Sequence, residues 1–185
     1  MLLENKVITL GITSAFYSIE KTIPRIRNII NSGAEIVPVM SFNLYKSKKI
    51  VKEIEGITGK SIIHTLEEAE NIGKRIPSNI MAIIPCTGNT IGKLANGIID
   101  TPVLVAAKCN LKIGNNLVIG VSTDDGLSIQ AENIGKLLRQ KNIFFIPFRQ
   151  SNPITKPCSI SFSSYYMQET IERALKSEQI QPLLI

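Results

Sequence analysis

Tryptophan is absent from this 185-residue chain, aromatic residues make up only 5% of it, and histidine occurs once, at position 64. Stacking surfaces for bases are therefore scarce. The formal charge is +6, but the 21 Lys and Arg residues are scattered along the chain and form no basic stripe. Nucleic-acid binding draws on both features together and is not expected here. Cysteine is also sparse. Cys86, Cys109 and Cys158 are odd in number and show no C-x-x-C spacing, so neither a disulfide framework nor a metal site is expected. No apolar run approaches the roughly 18 residues of a membrane span, and Glu4 interrupts the start where a signal peptide needs unbroken apolar sequence. The expectation is a cytoplasmic protein with no membrane role.

What is present suffices for a core. Hydrophobic residues are 44% of the chain and charged ones 19%, enough apolar surface to offset the ordering entropy. At a prior of about 150 residues per domain, residues 1–185 make one domain. Short runs rich in Val and Ile recur at Val7–Gly11, Glu35–Met40, Ile80–Pro85, Val103–Ala107, Leu117–Ser122 and Ile143–Phe148. Between them lie stretches with apolar residues three or four apart. The first is Phe16, Ile19, Ile23, Ile26 and Ile30, with Pro24 inside and Gly33 as a stop signal. Further helices are expected after Asn89 or Thr90, over about 128–140 and over about 164–176, with one short helix before a break at Gly59. This alternation predicts an α/β fold: a three-layer, flavodoxin-like (Rossmann-like) open parallel sheet with helices on both faces.

Ligands of such sheets bind beyond the carboxyl ends of the strands. Those ends carry hydroxyls and amides: Gly11, Thr13 and Ser14 at the end of the first run, Ser41, Phe42 and Asn43 after the second, and Thr87, Gly88, Asn89 and Thr90 after the third. Small polar residues at helix N-termini present N–H groups to an anion, and a phosphate is the natural guest, although the same residues also serve simply as helix caps. There is no G-x-G-x-x-G or G-x-x-x-x-G-K-S/T, and the second run ends without the acid that holds an NAD ribose. A dinucleotide held in the usual Rossmann manner is disfavoured, and a mononucleotide such as FMN stays open. Cys86 reads as a thiol beside a helix N-terminus or as a buried structural residue, and the second reading is preferred. His64 reads as structural or exposed. Asp124 and Asp125 read as paired carboxylates or, preferably, as turn formers before Gly126. Lys108 and Arg149 stand at expected strand ends, available to an anion or part of a solvated rim. No catalytic acid or base is assigned.

The string PCTGNTIGKLANGIID, from Pro85 to Asp100, resembles the P-A-S/T-A-N-T-I-x-K-I-A-N-G-I-A-D signature of the flavoprotein family that includes flavin-containing cysteine decarboxylases and flavin prenyltransferases. Further similarity lies in Leu10–Thr13, Gly33–Asn43, Asp100–Lys108, Gly120–Asp125, Lys141–Phe148 and Gln181–Leu184, which makes it end to end. The resemblance implies FMN with its phosphate and ribityl chain against Thr13, Ser14, Ser41 and Thr87 to Thr90, and its ring near Phe42 and Ala106 to Lys108, Ala107 included. It also implies a homo-oligomer and a branch of the family whose members pair with a second chain, the A subunit, resembling NAD(P)-dependent Rossmann dehydrogenases. With NADP on that partner, such pairs oxidise dihydrodipicolinate, a cyclic dicarboxylate, in the mother cell of a sporulating bacterium. Lys108 and Arg149 are then the expected anchors for its two carboxylates. The family's catalytic His precedes the third strand more closely than His64 does, and its P-x-M-N-x-x-M-W clamp is replaced by residues 106–111. These departures disfavour decarboxylation of a cysteinyl substrate, and a stand-alone FMN-dependent decarboxylase or prenyltransferase is one alternative. A cofactor-free binding protein of the same fold is the other alternative.

Overall fold

The computed structural model describes residues 2–185. Five strands run parallel, β1 (Val7–Ile12), β2 (Glu35–Met40), β3 (Ile80–Cys86), β4 (Leu117–Thr123) and β5 (Ile143–Phe145), in the order β2-β1-β3-β4-β5. That is the flavodoxin-like order, and the expected fold class is observed. The intervening helices are α1 (Phe16–Asn31), α2 (Phe42–Tyr45), α3 (Lys48–Thr58), α4 (Leu66–Ala69), α5 (Gly88–Ala95), α6 (Pro102–Lys112), α7 (Ala131–Leu138) and α8 (Met167–Ala174). Every residue of β3 is buried, so both faces of the sheet need cover. On one face, Ile19 and Ile26 of α1, Ile54 of α3 and Ile171 of α8 share one buried core with Ile8, Leu10 and Ile36. On the other, Ile91 of α5, Val103 and Ala107 of α6 and Leu137 of α7 pack on Met81, Ile83 and Ile119.

Pro24, which by its chemistry kinks a helix or marks a late start, does not delay α1, which begins at Phe16 and runs through it. Other local signals act as expected: α3 ends at Gly59, which takes the left-handed conformation at φ 66. Thr65 and Glu68 form a capping box at α4. The helices expected over 128–140 and 164–176 are trimmed to α7 and to a single 3-10 turn, Ser164–Tyr166, followed by α8.

Three expectations are corrected. Val103–Ala107 is helix, the first part of α6, because Thr101 caps it by accepting from Leu104 N at 3.3 Å and Pro102 occupies the first turn. All five residues are buried, and a run buried all round shows no period by which to tell helix from strand. Ile143–Phe148 is likewise not one strand, since the chain breaks after β5 and restarts as β6 (Phe148–Asn152). β6 pairs antiparallel with β7 (Lys156–Phe162), an element absent from the sequence reading, and β7 pairs antiparallel with the end of β4. The sheet of seven strands is therefore parallel through five and mixed at one margin. Finally, Gly11 is not the last residue of the first strand, since β1 runs on to Ile12, and a Cβ at Gly11 would stand 2.8 Å from Val103 Cγ1. Its small size lets α6 close on the sheet.

The outer edge of β5 is completed by a side chain. Gln179 accepts from Phe145 N at 2.8 Å and donates to Phe145 O at 2.7 Å, replacing the missing strand. Gln179→Ala should lower stability by about 1 to 3 kcal/mol, because a buried donor and acceptor both lose their partner. Urea denaturation of the variant measures it.

Candidate functional site

A cavity of about 580 Å³ opens at the carboxyl edge of the sheet. Its floor is the β1–α1 turn with Ser14, Ala15 and Ser18, the β3–α5 turn with Thr87 and Gly88, and the end of β4 with Ser122, Thr123 and Asp124. The β6–β7 hairpin supplies the opposite wall. There Arg149 pairs with Ser161, and Ser161 with Ser122, so three strands present one cross-strand row to the cavity. The lining is rich in hydroxyls and carries Lys21, Arg149 and Lys156 against a single carboxylate, Asp124. That imbalance favours an anion.

The two helix N-termini at the floor differ. Helix α1 begins at Ala15, which has no side chain to cap it, and its first turn holds no acid. The N–H groups of Phe16 and Tyr17, at the first two helical positions, have no intrahelical partner and face a helix end of partial positive charge. Helix α5 begins at Thr87, not at Asn89 or Thr90, and it already has an anion beside it. A Cβ on Gly88 would fall 2.7 Å from Asp125 Oδ1 and also against Thr123 Oγ1. Thr123 donates to Asp125, and Gln130 Nε2 donates to its other oxygen at 3.4 Å. Asp125 is thus built into the scaffold. Asp124 points into the cavity and accepts from Lys156 Nζ at 3.2 Å and Ser159 Oγ at 3.1 Å.

The residues expected to bind ligand divide into groups. Ser14, Thr87, Gly88 and Arg149 line the cavity. Thr13 is 2% exposed and holds two turns together, donating to Pro85 O at 2.8 Å and accepting from Thr87 N at 3.0 Å. Thr90 is buried against Thr87, their hydroxyls 3.1 Å apart. Ser41 lies 3.5 Å from Ser14, Oγ to Oγ, with Phe42 exposed beyond it, and Asn89 is exposed, its side chain without a hydrogen-bond partner among the described residues. Ala107 and Lys108 lie on α6 and not at a strand end; Ala107 is buried in the core, Lys108 is exposed, and neither lines the cavity. Lys21 and Lys156 were missed. Lys21 is one turn along α1 from Tyr17, with its ammonium 4.1 Å from that ring, and no local motif marks it.

His64 stacks on Tyr45 with centroids 3.8 Å apart and does not line the cavity. Ile63 bridges to Val39, so His64 nonetheless sits beside the end of β2, closer to the carboxyl edge than its place in the sequence suggests. Cys86 is fully buried, and burial pushes its thiol well above the ordinary range, as the structural reading expected.

A flavodoxin-like sheet with a hydroxyl-lined anion cavity at its carboxyl edge defines a class, and comparison with known proteins agrees. The chain belongs to the flavoprotein family, whose model, described as "Flavoprotein", matches residues 2–176. It is 39% identical over 190 residues to the B subunit of dipicolinate synthase from Bacillus subtilis (strain 168), a match covering 99% of this chain and 95% of that protein. The crystal structure of the dipicolinate synthase B subunit from Bacillus halodurans C superposes with a TM-score of 0.94 at 35% identity, covering 100% of this chain and 98% of that one. An FMN-dependent cysteine decarboxylase shares the fold at 18% identity, with a TM-score of 0.72 over 95% of this chain and 98% of that chain. The two relatives of higher identity are thus both B subunits of dipicolinate synthase. The alternatives of a stand-alone decarboxylase or prenyltransferase, or of a cofactor-free binding protein, are not favoured.

Two outcomes follow. Thr13→Val keeps the shape but orphans the Thr87 N–H and leaves the Pro85 carbonyl with only the Thr13 N–H at 3.2 Å, and should cost about 1 to 3 kcal/mol in thermal or urea unfolding. Alkylation of the native protein at mildly alkaline pH should spare Cys86 and modify Cys109 and Cys158, which are partly exposed. Peptide mass mapping distinguishes the three.

Proposed function

We propose that this chain acts as the flavoprotein-like B subunit of a dipicolinate synthase. It works with a dehydrogenase-like A subunit that carries NADP, in the mother cell of a sporulating bacterium, to oxidise dihydrodipicolinate to dipicolinic acid. The observation that carries this reading is the cavity, in which cations from α1, β6 and β7 converge on a hydroxyl-lined space. A small cyclic dicarboxylate has the charge and the hydrogen-bond acceptors for such a lining.

The donor set also fits the phosphate of FMN. The uncapped start of α1, with Ser14 and Lys21, offers N–H groups, a hydroxyl and an ammonium to one anion. Ser41, Thr87 and Gly88 lie along the same edge for the ribityl hydroxyls, Asn89 and Phe42 are exposed to meet the rest, and Thr13 and Thr90 hold the turns in shape. When bound, FMN supplies a two-electron acceptor. The hairpin side, with Arg149, Lys156 and Ser161, is left for the dicarboxylate, and Arg149 is free of any ion pair among the described residues. Lys108, on α6 and outside the cavity, drops out as an anchor, and Lys156 replaces it.

Fluorescence quenching of FMN by the purified chain, alone and with its A subunit, tests the cofactor. Saturable binding is expected, weakened about tenfold or more by Asn89→Ala, since a hydrogen bond to a charged or strongly polar group is worth roughly 1.5 to 3 kcal/mol. Absence of binding under both conditions removes FMN from the proposal. Calorimetric titration with dipicolinate tests the substrate side. Arg149→Ala should weaken binding about tenfold or more by the loss of one charge-assisted contact, and unchanged affinity removes Arg149 from the site.

A further inference from the structure

We propose that Asp124 is the proton acceptor of the oxidation, an inference that rests on the dipicolinate synthase reading above. The titratable side chains lining the cavity are Tyr17, Lys21, Asp124, Arg149 and Lys156. Ammonium and guanidinium groups are hydrogen-bond donors only and a phenol carries its own hydrogen, whereas a carboxylate offers acceptor oxygens. Asp124 is therefore the one lining group able to take a proton directly.

The geometry separates it from its neighbour in sequence. Asp125 is held by Thr123 and Gln130 against Gly88 and is not among the cavity residues. Asp124 is oriented from the opposite side, by Lys156 Nζ on both oxygens at 3.2 and 3.3 Å and by Ser159 Oγ at 3.1 Å. Both partners come from β7, so the hairpin that brings cations for the substrate carboxylates also aims the carboxylate at the substrate ring. The Asp124 side chain is 75% exposed, at the open side of the cavity, so a proton taken from substrate passes to water once product leaves.

The step balances without a flavin. One ring C–H bond of the dihydro-dicarboxylate breaks, and its proton goes to the Asp124 carboxylate. The electron pair left behind becomes the new ring C=C bond, while hydride departs from the adjacent ring carbon to an oxidised nicotinamide, NADP+, supplied by the partner chain. Dihydrodipicolinate and NADP+ become dipicolinate and NADPH, with one proton released through Asp124. General acid–base catalysis of this kind contributes on the order of 100-fold to 10,000-fold.

The test uses the full chain with its A subunit, NADP+ and dihydrodipicolinate. Asp124→Asn should lower kcat about 100-fold or more while KM, and the calorimetric affinity of the variant for dipicolinate, stay within about threefold. Asp124→Ala should regain part of its turnover when formate is added as a diffusible base. Asp125→Asn, by contrast, should lower the melting temperature, which Asp124→Asn leaves unchanged. An Asp124→Asn variant that binds dipicolinate and turns over within a few-fold of wild type overturns the inference and leaves the proposed function standing. A loss confined to KM, with no formate rescue, also overturns it and makes Asp124 a binding residue. A wild-type chain that neither binds dipicolinate nor supports its formation with the A subunit overturns the proposed function itself, and the inference with it.

Discussion

Strand β4 exchanges one neighbour for another halfway along its length. Leu117 to Ile119 pair with β5, and Ser122 and Thr123 pair with β7. Backbone N–H and C=O groups released from one partner must find another, and the antiparallel hairpin meets that demand. The fork requires close approach. At Gly120, one of the two residues between the pairings, a Cβ would stand 3.1 to 3.3 Å from Ile84, Phe162 and Ile146. Without the fork the carboxyl edge would be an open shelf, as in a plain doubly wound sheet. With it, a second wall rises opposite the β1–α1 and β3–α5 turns and encloses a cavity.

Electrostatics then sorts that cavity. Helix α5 arrives with its N-terminal charge already compensated by Asp125, so its turn is scaffold as much as binding surface. Helix α1 arrives with no cap and no acid, and stays available. Two helices on one sheet edge, both read from sequence as phosphate cradles, thus differ in whether the protein has supplied its own anion. Lys156 and Asp124 are paired across the cavity rim at high exposure, where such a pair adds little to stability. Its consequence is orientation, since each side chain fixes the other at the rim of the cavity.

Much of this was legible beforehand. Alternating strands and helices predicted the parallel sheet because β1 to β4 are nearly continuous apolar runs, and the string from Pro85 to Asp100 pointed to the family. Ser14, Thr87 and Gly88 were found because the carboxyl ends of parallel strands meet at one edge whatever the details. Val103–Ala107 misled because burial on all sides erases periodicity, and Ala107 and Lys108 were misplaced with it. Gly11 misled because a glycine that relieves a packing contact reads the same as one that opens a turn. The hairpin was missed because β6 is mostly polar and exposed and follows β5 after only Ile146 and Pro147.

Local sequence by itself determined the strand and helix alternation of the parallel core, the family and the hydroxyl character of the strand ends, because these depend on spacing and residue type within short windows. Tertiary structure alone decided which of those ends form a site. Lys21 of α1, Arg149 of β6 and Lys156 of β7 are far apart in the chain and carry no shared motif, and they meet because β4 forks. The same fork separates Asp124 from Asp125. Two adjacent carboxylates, indistinguishable as letters, lie on opposite sides of one strand end, where one completes the scaffold and the other faces the cavity.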